Sequence, residues 1–148
     1  MRTRTLPALL ALLAGLGLGP ALAENATKIP GYTIHHNAIT TDQLAPDVAR
    51  SYGIQRSRNR GLLNVSVIKD VPGTTGTAAT ATVKATSRNL QGLIRELPMR
   101  EVRDGTAVYY LGEFPVEHQE TLGFTVQVRP QGETTSYTAE LSQEFFTR

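Results

Sequence analysis

The sequence predicts an all-β protein, an antiparallel immunoglobulin-like β-sandwich of about seven strands with one short helix. Three observations carry that reading. Short segments alternate apolar and polar residues with a period of two. Pro72-Gly73, Asp104-Gly105 and Pro130-Gln131-Gly132 punctuate them as turns. Only the stretch around Pro46 to Gly53 has the residues and the boundaries of a helix.

Arg2 and Arg4 open the chain, an apolar run follows from Leu6 to Leu18, and Ala21-Leu22-Ala23 closes it. A basic start, a short apolar middle and an Ala-x-Ala end are the parts of a secretory signal. The run is shorter than the roughly 20 apolar residues that a bilayer span needs. Residues 1–23 are therefore read as a cleaved signal peptide and residues 24–148 as a single β-sandwich domain. Cleavage places the mature chain outside the cytoplasm and leaves it without a membrane span.

Glu24 to Pro30 is polar and reads as a loose lead-in. Tyr32 to Ile39 reads as a strand, with Tyr32, Ile34, His36 and Ala38 on one face and Thr33, His35, Asn37 and Ile39 on the other. Leu44 to Gly53 reads as the helix: Pro46 suits its first position, Asp47 its positive end and Gly53 a left-handed stop. It is too short to hold by propensity, so Val48 and Tyr52 must pack. Leu62 to Val71 alternates Leu63, Val65 and Val67 against Asn64, Ser66 and Ile68. Ala78 to Arg88 reads as one strand and Leu93 to Arg103 as another, with Pro98 marking an edge or a bulge. Asp104-Gly105 turns a hairpin into Thr106 to Leu111. Thr121 to Arg129 and Thr134 to Phe146 complete the set. The expected core is Ile34, Leu44, Val48, Tyr52, Leu63, Val65, Val67, Val83, Tyr109, Phe124, Val126, Tyr137, Leu141 and Phe145.

Composition narrows the function. The whole chain carries 15 Lys and Arg against 13 Asp and Glu. Arg2 and Arg4 leave with the signal, so the mature charge is near zero and bulk attraction to nucleic acid is not expected. Cysteine is absent, which excludes disulfides, a lipid-anchored cysteine and a thiol nucleophile.

The candidate site residues are His35 and Asn37 with Arg56, Arg58, Asn59 and Arg60. Three arginines within Arg56-Ser57-Arg58-Asn59-Arg60 concentrate charge that the rest of the chain does not share, and Arg forks match carboxylates and phosphates. The structural alternative is that Asn59 and an Arg satisfy backbone carbonyls in a long crossover connection. His35 and His36 are adjacent on a strand and point to opposite faces, so one metal cannot take both; no metal site is expected. No Gly-x-Ser-x-Gly elbow and no phosphate-cradling loop occurs, so no catalytic residue and no cofactor is assigned. Asn25-Ala26-Thr27 and Asn64-Val65-Ser66 match the glycosylation pattern, the second inside an expected strand.

Three segments together resemble the bacterial family known as domain of unknown function 4426. They are His35-His36-Asn37-Ala38-Ile39, then Leu44 to Val67, and lastly Arg100-Glu101-Val102 with Tyr109-Tyr110-Leu111 and Glu113-Phe114-Pro115-Val116. The resemblance covers nearly all of the mature chain. It implies an exported, periplasmic protein of Gram-negative bacteria with no assigned activity and no catalytic residues to carry over. At His36 and Ile39 this chain departs from the family's more aromatic pattern, so His36 is not carried over as a ligand.

The leading expectation is a non-catalytic interaction module that binds a protein or peptide partner in the cell envelope, through loops or a free sheet edge. The alternative is a binder of a small anionic envelope ligand at the Arg56–Arg60 loop. A hydrolase ranks last.

Overall fold

The structure is a computed structural model and describes residues 25–148. The expected signal segment, residues 1–23, lies outside the described residues. The elements, in chain order, are β1 (Ala26–Ile29), β2 (Tyr32–Thr40), a 3-10 turn (Thr41–Gln43), α1 (Pro46–Ser51), β3 (Arg60–Lys69), β4 (Thr77–Ala79), β5 (Ala81–Asn89), β6 (Ile94–Leu97), β7 (Arg100–Asp104), β8 (Ala107–Pro115), β9 (Glu120–Pro130) and β10 (Tyr137–Phe145). Two antiparallel sheets result. One runs β1-β2-β3-β8-β7 with β4 attached to β3, and the other runs β10-β9-β5-β6.

The described residues hold ten strands where the sequence suggests about seven, and the differences have physical causes. The lead-in folds as β1 because an edge strand needs only backbone pairing, here with Tyr32 to His35 of β2 around Gly31 at φ 80°. The run from Ala78 to Arg88 is split at Thr80, where the chain leaves one sheet as β4 and enters the other as β5. The Ala81 N–H at that switch is satisfied by the Tyr110 hydroxyl at 2.8 Å. The run from Leu93 to Arg103 divides the same way at Pro98-Met99, between β6 and β7. A proline with no N–H suits a point where the ladder must stop. Asp104 pairs with Ala107 around Gly105-Thr106, so that hairpin forms where expected.

Between the sheets, Ile34, Leu63, Val65 and Val67 pack with Phe124, Val126, Val128, Ala139 and Phe145. Phe114 lies 5.0 Å from Phe124 and 5.6 Å from Phe145, ring centre to ring centre, both in tilted or edge arrangements. Val83, Tyr137 and Leu141 are half-buried at the margin of this core. The other expected core residues belong elsewhere. Leu44, Val48 and Tyr52, with Ala49 and Ile54, form a second cluster over Leu62, Tyr109 and Leu111 on the outer face of the larger sheet.

This arrangement buries β3 on both faces, including the polar Asn64 and Ser66. Asn64 is therefore not an accessible glycosylation acceptor. The short α1 is held by its packing and by tertiary hydrogen bonds. The Tyr52 hydroxyl donates to Asp104 Oδ2 at 2.8 Å, and Arg100 donates to the Tyr52 carbonyl. Burial, then the Asp104 carboxylate, raises the Tyr52 pKa above its ordinary value.

Gly61 pairs directly with Phe114 across β3 and β8, and a Cβ there would run into the Phe114 ring. Gly61→Ala is expected to displace that ring from the aromatic trio and cost about 1–3 kcal/mol. Urea unfolding checks this, and an unchanged midpoint would contradict the packing described.

Candidate functional site

The connection from β2 to β3 crosses the outer face of the larger sheet and carries the arginine loop. Its anchor is Thr41, which is fully buried. The Thr41 hydroxyl lies 2.8 Å from the Gln55 carbonyl and 3.1 Å from the Ser57 carbonyl, and it accepts the Ser57 N–H at 2.8 Å. One side chain thus joins both ends of the connection. Arg56 adds a second tie: Nε donates to the Leu44 carbonyl at 2.8 Å and a terminal nitrogen donates to the Asp42 carbonyl at 2.9 Å. These are carbonyls that the 3-10 turn and the approach to α1 leave unpaired.

The other two arginines are exposed and stand near acids of the same protein. Arg58 stands 3.9 Å from Asp42, and Arg60 stands 3.7 Å from Glu113 of β8. The Asn59 carbonyl accepts the Val116 N–H at 2.9 Å, fixing the loop to the end of β8. Gln55, Ser57, Asn59, Arg60, Glu113 and Phe114 border a shallow depression of about 470 Å³ beside it.

His35 and Asn37 are not part of this group. His35 pairs with Ser66, Asn37 with Asn64, and the loop ends at Arg60. Six and four residues along β3 correspond to roughly 20 and 13 Å. The cluster of α1 with Ile39 and Leu62 occupies the outer face between them. Exposed His35 and half-buried Asn37 instead lie beside buried Asn64, whose Oδ1 has no hydrogen-bond partner among the described residues. The six candidate residues thus fall into two places.

His36 points into the sandwich, with Nε2 3.0 Å from Thr27 Oγ1 and Nδ1 buried without a partner among the described residues. Burial, then the neighbouring His35, holds its pKa below the ordinary value. Among the described residues no three of His, Cys, Asp and Glu come together as a metal-binding group.

Two features escaped the sequence reading. The first is a cleft of about 600 Å³ bordered by Tyr32, Lys69, Thr80, Arg103 and Gln131. It opens where β3 exchanges partners, since β8 pairs with Arg60 to Val65 and β4 with Val67 to Lys69. Nearby, Tyr110 donates to Glu101 Oε1 at 2.9 Å, and Arg103 Nε lies 3.2 Å from Oε2. The Tyr110 hydroxyl, then Arg103, holds the Glu101 carboxyl below its usual range, while burial and that carboxylate push Tyr110 up to about 12. No local motif marks this group, because it depends on the fork between β4 and β8.

The second feature is the edge of the smaller sheet. Among the described residues five strands have a single neighbour: β1, β7 and the three-residue β4 in the larger sheet, β10 and β6 in the smaller. β1, β6 and β7 span only 4 or 5 residues and contain Lys28, Arg95, or Arg100 and Arg103. β10 spans 9 residues, pairs along its whole length with β9 and contains no Lys, Arg or Pro. Short edges and edge charges discourage strand addition; β10 is long, and its charges are Glu140 and Glu144, with no cation.

Two expectations test these assignments. Thr41→Val removes the single hydroxyl that donates to a carbonyl of the Gln55–Ser57 segment and accepts the Ser57 N–H at a part-buried junction, and is expected to cost about 1–3 kcal/mol. Arg58→Ala should stay within about 0.5 kcal/mol, because its ion pair is exposed. Equal losses in denaturant unfolding would contradict the hub. For His36, the unfolded chain takes up a proton before the folded one as pH falls below about 6.5. The stability from a neutral His36 is complete above that pH and is lost as pH drops through the depressed folded value. Unfolding free energy should therefore decline from about pH 7 to about pH 5, and less steeply in His36→Gln. Identical slopes would contradict this.

A comparison with curated proteins finds no match. A family profile described as a domain of unknown function, DUF4426, matches residues 26–148. Among solved structures, a crystal structure of a DUF4426 family protein from Pseudomonas aeruginosa PAO1 is similar at 30% sequence identity with a TM-score of 0.69. The match covers 82% of this chain and 93% of that one. With every described strand of both sheets inside the matched span, the chain belongs to the DUF4426 family.

Proposed function

We propose that the protein is exported and works in the cell envelope as a non-catalytic binding module, taking an extended segment of a protein partner as an added strand on β10. The observation that carries this reading is the nine-residue edge, paired on one side only among the described residues and lacking edge cations. Main-chain hydrogen bonds would supply affinity, and alternate side chains would supply selectivity. Exposed Glu140 and Glu144 share the outer face of β10 with Thr138 and Ser142, which favours a partner strand with basic or hydroxyl residues at alternate positions. Export is supported by the basic, apolar and Ala-x-Ala pattern of residues 1–23. The non-catalytic reading is supported by the arginine loop, whose polar groups meet the protein's own carbonyls and acids.

A second reading, a small anionic envelope ligand at residues 56–60, rests on Arg58, whose side chain is 72% exposed. Photo-crosslinking in envelope extracts separates the two. A benzoylphenylalanine placed at Ser142 should capture a protein adduct that persists in about 0.5 M salt. Capture from Arg58 alone, lost at that salt concentration, would overturn the β10 reading in favour of the anionic one.

A further inference from the structure

The β5–β6 hairpin holds three large aliphatic side chains away from the core. Leu90 is 80% exposed, Leu93 53% and Ile94 60%. The turn that presents them is fixed by its own hydrogen bonds. The Asn89 N–H donates to the Leu93 carbonyl at 3.1 Å, and the Gly92 N–H donates to the Asn89 carbonyl at 3.0 Å. Asn89 Oδ1 accepts the Leu93 N–H at 2.9 Å. Gly92 adopts φ 88°, a conformation that suits glycine.

Arg88 and Arg95 stand on the stem, one residue out of phase in the register and so on opposite faces of the hairpin. The Arg88 guanidinium lies along the turn, 3.6 Å from the position a Cβ on Gly92 would take. Exposed Phe146 is at the same end of the sandwich, because β10 ends opposite Glu120 and β5 ends opposite Leu122. The acids at this end are Asp42 and Glu113, which face Arg58 and Arg60, together with Glu96, Glu117, Glu120 and Glu144. Within the hairpin only Glu96 is acidic, and it lies beyond Arg95 on the stem.

We propose that this hairpin is a docking point for an anionic lipid bilayer, with Leu90, Leu93 and Ile94 entering the interface and Arg88 and Arg95 meeting lipid phosphates. Binding of this kind combines buried apolar side chains with cations set back at headgroup level. A protein partner is the poorer fit, since a stable interface takes about 800 Å² from each side and this is the convex tip of one turn. The surface is separate from the free edge of β10 and does not rest on the peptide reading.

The chain contains no tryptophan, so Leu90→Trp makes the tip its own reporter. The protein is tested both as the full chain and from Glu24, which retains every described strand of both sheets and removes the apolar N-terminal run from the comparison. With vesicles of phosphatidylcholine and phosphatidylglycerol in equal parts, emission from the introduced indole should shift to the blue and be quenched by brominated acyl chains. Vesicles of phosphatidylcholine alone should give a much smaller change. In flotation, Leu90→Ser/Leu93→Ser/Ile94→Ser should reduce binding at least about tenfold. Arg88→Gln/Arg95→Gln should reduce binding and remove its salt dependence. Unchanged emission with both vesicles, binding that survives the triple substitution, or sedimentation showing that the triple substitution abolishes self-association instead would each overturn the proposal.

Discussion

The double burial of β3 is the constraint on which the rest of the structure depends. Leu63, Val65 and Val67 face the smaller sheet, so the chain must still cover Leu62, Asn64 and Ser66 on the other side. Much of that cover comes from the stretch between β2 and β3, with Leu44, Val48, Ala49, Tyr52 and Ile54 closing over Leu62, Tyr109 and Leu111. A six-residue helix cannot hold such a position by itself. The Thr41 hydroxyl and the Arg56 guanidinium hold the connection at its two ends, and Tyr52 reaches Asp104 at the far hairpin.

That constraint changes the meaning of the arginine cluster. Read as letters, Arg56, Arg58 and Arg60 admit two uses, an anion site or ties to the carbonyls of their own connection. In the fold, Arg56 donates to two carbonyls, while Arg58 and Arg60 face Asp42 and Glu113. Charge-assisted bonds to backbone carbonyls at the start of a connection are an architectural use of a guanidinium. The two surfaces proposed above for contacts lie elsewhere, on the long edge of β10 in the smaller sheet and on the apolar tip between β5 and β6. The two suit different chemistry: the first offers an unfilled ladder, the second a protruding wedge with cations behind it.

Much of the sandwich was legible because its signals are local. Pro46, Asp47 and Gly53 frame α1, Asp104-Gly105 turns a hairpin, and the alternation of Leu63, Val65 and Val67 fixes the inner face of β3. The missed features are non-local. Nothing in the residues around Thr80 records a change of sheet, and Pro98 marks an edge or a bulge without saying that the chain crosses to the other sheet there. β1 offers the core only Ile29, too little to signal a strand, and its pairing with β2 is a property of the backbone. That an Arg of this loop satisfies carbonyls of the connection is one of two readings of the sequence, and Arg56 is the one that does so; which carbonyls it meets is not written in the letters. Leu90, Leu93 and Ile94 are the same letters that fill the core, and only their place at a hairpin tip sets them apart.

The most direct measurement is native-state amide hydrogen exchange on Arg56→Ala beside the parent protein. If the connection is what covers β3, the amides of Leu62 to Ser66 should exchange markedly faster through a partial opening, while those of Phe124 to Val128 in β9 keep their protection. Unchanged exchange throughout β3, in a protein that has lost the Arg56 guanidinium, would contradict the account and return that side chain to the list of ligand-binding groups.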